Sequence, residues 1–90
     1  MTTSTSACET LHEAIHSVLI SADQPCSTTY ISDQIARRGL WVRPSDGQFP
    51  NASQVSARIG NYPDWFRRIG ESRRYVVLSD WILNGRYSDS

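Results

Sequence analysis

The hydrophobic period of this chain changes near residue 66. Before residue 63, apolar side chains recur every three or four residues in three separate segments, which indicates amphipathic helices. From residue 66 the pattern becomes two short runs joined by Gly70-Glu71-Ser72-Arg73, which is typical of a β-hairpin. The sequence therefore predicts an α+β domain in which three helices precede a two-stranded hairpin.

Caps and turn residues set the limits of these five elements. The predicted helices and strands are 9–21, 28–38 and 51–62, then 66–69 and 74–78. The folded domain is predicted over residues 9–78. Residues 1–8, rich in Thr and Ser, are expected to be a disordered lead-in. Residues 79–90 are predicted to be a tail or a linker to a further domain, with a helical turn near 81–83.

The third helix has two different faces. Asn51 is placed to cap its first turn, and Gln54 to reach back to the cap. An apolar stripe contains Ala52, Val55, Ile59 and Tyr62. A neighbouring polar stripe contains Gln54, Arg58 and Asn61. The rest of the surface carries small residues: Ser53, Ser56, Ala57 and Gly60. Gln, Arg and Asn are the side chains that match base edges in a major groove. An ordinary amphipathic helix with a solvated outer face is the competing interpretation.

The charge of the chain is unevenly distributed. Its formal net charge is zero, but residues 1–36 carry four acidic residues and no Arg or Lys. Residues 37–74 carry eight of the nine basic residues, all arginine, against three acidic residues. Such asymmetry indicates a basic face.

Three helices and a hairpin form the element order of a winged helix-turn-helix, in which the third helix enters the major groove and the wing lies on the backbone. Both features favour binding of double-stranded DNA.

Five segments together resemble the HARE-HTH winged-helix family, in its restriction-endonuclease-associated branch. They span nearly the whole predicted domain: 11–15, 31–40, 46–47, 53–59 and 62–66. The resemblance implies a DNA-reading module of a restriction or defence protein, with a fused or associated nuclease domain. It also implies a reader of modified, for example methylated, cytosine.

The resemblance also assigns candidate DNA contacts. The expected groove-facing residues are Ser53, Gln54, Ser56, Ala57, Arg58 and Asn61. The expected backbone or minor-groove contacts on the wing are Arg67, Arg73 and Arg74, with Arg43, Gln48 and Asn51 as second-tier candidates. Trp41 is the candidate contact for a modified base, because aromatic rings stack on such bases; a place in the core is the competing interpretation.

Other functions are weighed against DNA binding. A protein-interaction winged helix of a transcription or chromatin complex is the alternative, and exposed apolar residues on the third helix and wing would favour it. His12-Glu13-Ala14-Ile15-His16 matches the H-E-x-x-H pattern of zinc peptidases, but no further histidine is present as a third ligand.

No catalytic constellation is evident, so a non-enzymatic module without cofactor or metal is expected. The two cysteines do not form a disulfide framework, and no signal peptide is evident. An intracellular, cytoplasmic protein is therefore expected.

Overall fold

The computed structural model describes residues 10–87 of the chain. Within this range lie four α-helices, three strands and one 3-10 turn. In chain order they are α1 (Leu11–Ala22), β1 (Cys26–Ser27), α2 (Thr28–Arg38), α3 (Ala52–Asn61), β2 (Phe66–Ile69), the turn Glu71–Arg73, β3 (Tyr75–Leu78) and α4 (Ser79–Leu83). The predicted disorder of residues 1–8 lies outside the described residues.

Each of the three long helices begins at a capping side chain. Thr10, Ser27 and Asn51 have extended backbones, and the side-chain oxygen of each accepts a hydrogen bond from the backbone N–H three positions later. At α3 the cap is reciprocal, because Gln54 Oε1 also accepts from Asn51 N at 3.2 Å. The capping box predicted for the third helix is confirmed.

The core lies between the three long helices and the sheet. Helix α1 contributes the largest apolar stripe, and α1 contacts α2, α3 and β3. The other helices and the strands add one to three buried apolar residues each. The fully buried side chains of greatest volume are Phe66, Ile15, Leu19, Ile31, Ile35, Val18, Val55, Val76 and Val77. Helix α3 and the hairpin of β2 and β3 are therefore held against one common core. The hairpin (66–78) is called the wing below, after the element it would form in a winged helix.

The sheet has three antiparallel strands in the order β1-β3-β2. Hairpin strands β2 and β3 agree with the prediction, and the α+β class is confirmed. The predicted strand number of two is wrong, because Cys26 pairs with Val76 and Ser27 with Tyr75. A two-residue strand is too short to show a hydrophobic period. Ser27 also caps α2, and the extended conformation required at that position lets the same residue join the sheet.

The described fold continues past residue 78. Helix α4 follows β3 directly, and its Trp81 is buried at 5% exposure. The Arg86 guanidinium lies 4.6 Å from the centre of a Trp81 ring and donates to Asp23 Oδ1 at 2.9 Å, next to the end of α1. The helical turn predicted near 81–83 is thus part of a fourth helix, in addition to the three predicted for the domain. None of the helices in residues 10–87 is long and apolar enough to cross a membrane.

The α3 cap gives a test of this local structure. Asn51→Ala removes the acceptor for Gln54 N, and we expect it to lower the free energy of unfolding by about 0.5–2 kcal/mol. Urea denaturation measures the change. Ser53→Ala, an exposed change in the same turn, is the control and should shift stability by no more than about 0.5 kcal/mol. Equal stability of the two variants would contradict a stabilising cap.

Candidate nucleic-acid interface

Helix α3 buries one edge and exposes the opposite one. Val55 and Ile59 are buried, whereas Ser53, Ala57 and Asn61 are exposed. The exposed three recur at four-residue spacing, so they form one stripe along the helix. Their side chains are short and uncharged, and a partner surface can therefore approach the backbone of α3 closely.

A hydrogen-bond network fixes the beginning of α3. Arg43, in the loop before the helix, donates through Nη1 to Gln54 Oε1 at 3.3 Å and through Nη2 to Asp46 Oδ2 at 2.6 Å. Asp46 Oδ1 accepts from Gln48 N at 3.0 Å. The loop is thus closed on itself and attached to the cap of α3. Three candidate contacts, at 43, 48 and 54, are brought together here, and the Arg43 guanidinium is committed to internal bonds.

Arg68 links the wing to the middle of α3. Its Nη2 donates to the Ser56 backbone oxygen at 3.2 Å and also to Ser56 Oγ. The pair is half-buried, and it joins β2 to the recognition-helix candidate across a separation of 12 residues. Ser56, a candidate groove contact, therefore has its hydroxyl oxygen engaged as an acceptor in a structural bond.

A cleft of about 230 Å³ separates the end of α3 from the wing. Gly60 lies on one side of it, Pro63 on the linking segment and Phe66 at the start of β2. Its charged lining is entirely basic: Arg67, Arg68 and Arg73. Two of the three predicted wing contacts thus share one cleft beside α3, a setting that suits an anionic group.

The wing turn has an unusual backbone. Ser72 and Arg73 both adopt left-handed conformations, with φ of 60° and 51°. Such conformations cost roughly 1–3 kcal/mol each in non-glycine residues. Gly70 has φ of 86°, and a Cβ at this position would lie 2.9 Å from the Tyr75 ring. The turn therefore requires glycine at 70. Arg73 and Arg74 are both exposed, and of the two Arg73 lines the cleft.

Arg58 lies in the last turn of α3, close enough to His12 on α1 to affect its ionisation. The His12 ring stacks on Tyr62 at 4.0 Å and meets Trp65 edge-on at 4.9 Å. Burial of the ring, aided by the positive charge of Arg58 and opposed by Glu13, lowers the pKa of His12 below 6.5. The stack joins α1 to the end of α3.

The two histidines of the H-E-x-x-H pattern serve this aromatic packing. His16 also meets Trp65 edge-on, at 5.6 Å. His12 Nε2 lies 3.3 Å from Thr10 Oγ1, and Nδ1 is buried without a hydrogen-bond partner. Within residues 10–87, no group of three or more His, Cys, Asp or Glu side chains is placed to hold a metal ion.

Trp41 is half-buried and packs against the core. This position agrees with the core interpretation weighed for it. Its remaining exposed surface is the part available to a ligand.

Arg68 is a residue that the pattern analysis left out of the predicted contacts. Its signal is the two-residue period of β2, since Phe66 is buried and residue 68 must share its face. An arginine on the core side of a strand needs an internal partner, and Ser56 provides it. The period of β2 does not identify Ser56 as that partner.

No family model matches the chain, and the searches of curated proteins and of solved structures found no match either. The site is therefore interpreted from its own chemistry.

The wing attachment can be measured with a double-mutant cycle. Arg68→Met and Ser56→Ala each remove one side of the bond between guanidinium and hydroxyl. We expect a coupling energy of about 0.5–1 kcal/mol between the two changes in urea denaturation. The pair Arg74→Met and Ser56→Ala is the control and should be additive within about 0.5 kcal/mol. Additivity in both cycles would contradict a stabilising hydrogen bond between Arg68 and Ser56.

The His12 stack predicts a dependence of stability on pH. Because the folded-state pKa lies below 6.5, the unfolded chain takes up a proton first as the pH falls below that value. The free energy of unfolding should therefore decrease as the pH is lowered from about 7.5 to 5.5. Urea titrations at both pH values measure the change.

His12→Phe is the matched variant, since a phenyl ring can still stack on Tyr62 and Trp65 but does not titrate. It should show a smaller decrease over the same interval, while His16→Gln retains the His12 contribution. An unchanged decrease in His12→Phe would exclude His12 as its source.

Proposed function

We propose that this domain binds double-stranded DNA, with α3 in the major groove and the wing on the phosphate backbone. The supporting observation is the basic cleft between them, in which Arg67 and Arg73 lie beside Gly60 at the end of α3. Arginine pairs with phosphate through a planar fork of donors. The element order α1, α2, α3 and hairpin also agrees with a winged helix.

The surface of α3 favours DNA over a protein partner. Its large apolar residues, Val55 and Ile59, are buried. The exposed large apolar residues of the described chain lie on other elements: Ile20, Tyr30, Val42, Phe49, Trp65, Tyr75 and Leu83. Of these, Tyr75 belongs to the wing. A protein-docking helix is expected to expose apolar anchors, so the DNA interpretation explains α3 better.

The contacts divide by chemistry. Four residues of α3 are proposed to face base edges, because their side chains take no part in the hydrogen bonds that attach α3 to the preceding loop and to the wing: Ser53, Ala57, Arg58 and Asn61. Arg67, Arg73 and Arg74 are proposed to contact phosphates. The structural bonds of the Arg43 guanidinium and the Ser56 oxygen assign these two groups to holding the interface in shape. Gln48 joins the same loop through its backbone N–H, and its side chain lies outside these bonds.

We further propose, from the HARE-HTH resemblance, that the module directs a restriction or defence nuclease to its sites and reads modified cytosine. The half-buried Trp41 next to the α3 loop is the proposed contact for the modified base. This part rests on the resemblance and is tested separately below.

Fluorescence anisotropy with mixed-sequence duplexes, at about 50 and 200 mM salt, tests DNA binding. Salt-sensitive binding of the unmodified pool supports the DNA function, and tighter binding of a cytosine-methylated pool supports the modified-base function. Equal binding of both pools would remove the modification from the proposal. Absence of binding to either pool at the lower salt concentration would contradict the DNA function and favour the protein-interaction alternative.

Arginine variants separate base reading from backbone contact. Arg58→Ala should cost about 1–3 kcal/mol on the preferred sequence and relax the preference, if Arg58 contacts guanine. Arg73→Ala should weaken binding to all sequences alike and reduce the salt slope by about one. Arg86→Gln is the control, because it removes the same single positive charge at a position beyond the wing, where Arg86 is paired with Asp23. If Arg58→Ala keeps the sequence preference of the parent, its groove assignment is wrong.

A further inference from the structure

The side chain of Gln54 has a fixed orientation at the start of α3. Its Oε1 accepts two hydrogen bonds, from Asn51 N at 3.2 Å and from Arg43 Nη1 at 3.3 Å. A backbone N–H and a guanidinium can only donate, so the oxygen and not the amide nitrogen must face them. Arg43 is itself held by Asp46 at 2.6 Å, which anchors the network.

The amide nitrogen of Gln54 is left for an outside partner. Among the described residues, the buried side-chain nitrogen or oxygen that lacks a hydrogen bond is His12 Nδ1. Gln54 is half-buried and Nε2 makes no described bond, so this nitrogen must reach solvent. The exposed polar part of the side chain therefore consists of N–H donors, with the acceptor used internally.

This separation of donor and acceptor limits which bases Gln54 can read. Glutamine contacts adenine by donating to N7 and accepting from the N6 amino group together. That bidentate contact needs Oε1, which the cap and Arg43 occupy. A donor alone matches the groove acceptors of guanine (O6 and N7) or thymine (O4). Adenine has its N6 amino donor beside the N7 acceptor, and cytosine presents its N4 amino donor, so both match a donor-only group less well.

We propose that Gln54 is a donor-only specificity residue that selects guanine or thymine at one position of the DNA site, and that Arg43 is the residue that positions it. The inference rests on the proposed DNA function and adds the class of base that is read. Asn51 and Arg43 use up the acceptor, so helix capping and base selection depend on one side chain.

Gln54→Glu tests the inference because it alters only the exposed part of the network. A carboxylate still accepts from Asn51 N and Arg43, so the melting temperature should be kept. The donor is lost, however, and a carboxylate accepts from cytosine N4. We expect the preferred base at one position to change from guanine or thymine to cytosine, with about a fivefold loss of affinity for the parent site.

The measurement is selection from a randomised duplex library, followed by anisotropy on the selected site and its single-base variants. The added negative charge repels every duplex alike, so the ratio of affinities between bases is the readout. Gln54→Met is the second variant. It lacks both donor and acceptor, and should lower the melting temperature and relax the preference at the same position without favouring cytosine.

The positioning role of Arg43 has its own readout. Arg43→Met removes one of the two donors to Oε1, so Gln54 is held less firmly and discrimination at its base pair should weaken. Discrimination at the other positions should stay as in the parent. A uniform loss of affinity with unchanged base ratios would show that Arg43 acts only on the loop and would overturn its positioning role.

The outcomes separate this inference from the proposed function. Salt-sensitive DNA binding with the same base preference in the parent, Gln54→Glu and Gln54→Met proteins would overturn the role of Gln54 and leave DNA binding intact. A parent preference for adenine that Gln54→Met abolishes would overturn the donor-only assignment. Absence of duplex binding by the parent at low salt would overturn both.

Discussion

The position of α3 depends on very little apolar burial, because only Val55 and Ile59 of this ten-residue helix are buried. Two such side chains give a few kilocalories per mole, by area about 1.5–3 kcal/mol each. They do not by themselves determine how the helix is rotated or where it ends. Polar and aromatic contacts at its start, middle and end supply that constraint: Arg43 to Gln54, Arg68 to Ser56, and His12 to Tyr62. The exposed surface of α3 has a defined geometry because these three contacts hold it.

The same contacts explain which parts of the structure could be predicted from sequence. The capping box of Asn51 and Gln54 is local, with both partners three residues apart, and the sequence shows it directly. The hairpin is local too, and its change of period is visible. Strand β1 depends on a neighbour 50 residues away, Val76, and its two residues carry no period of their own. Arg68 with Ser56 and His12 with Tyr62 are likewise long-range pairs, so side-chain patterns could place each residue on a face without identifying its partner.

The H-E-x-x-H segment shows how one spacing can serve two kinds of chemistry. Residues four apart on a helix lie on the same side, which is what a metal requires of two imidazoles. It is also what a single large aromatic ring requires of two neighbours. Here Trp65 meets both His12 and His16 edge-on, at 4.9 Å and 5.6 Å. The four-residue spacing places both rings on one face, and the fold supplies an indole as the group that both rings contact.

The candidate interface contains fewer polar groups available for base contacts than its composition suggests. The Ser56 hydroxyl oxygen and the Gln54 side-chain oxygen both serve as acceptors in internal bonds, since the first anchors the hairpin and the second caps the helix. A group that is bonded internally costs free energy to release, because its former partner is then left unpaired. On the proposed DNA function, base contacts are thus restricted to groups outside these bonds. The bond of Arg68 to Ser56 also holds the hairpin with Arg73 against the same helix. On the proposed DNA function, the bonds that occupy some groups would therefore also set the register of the remaining base and phosphate contacts.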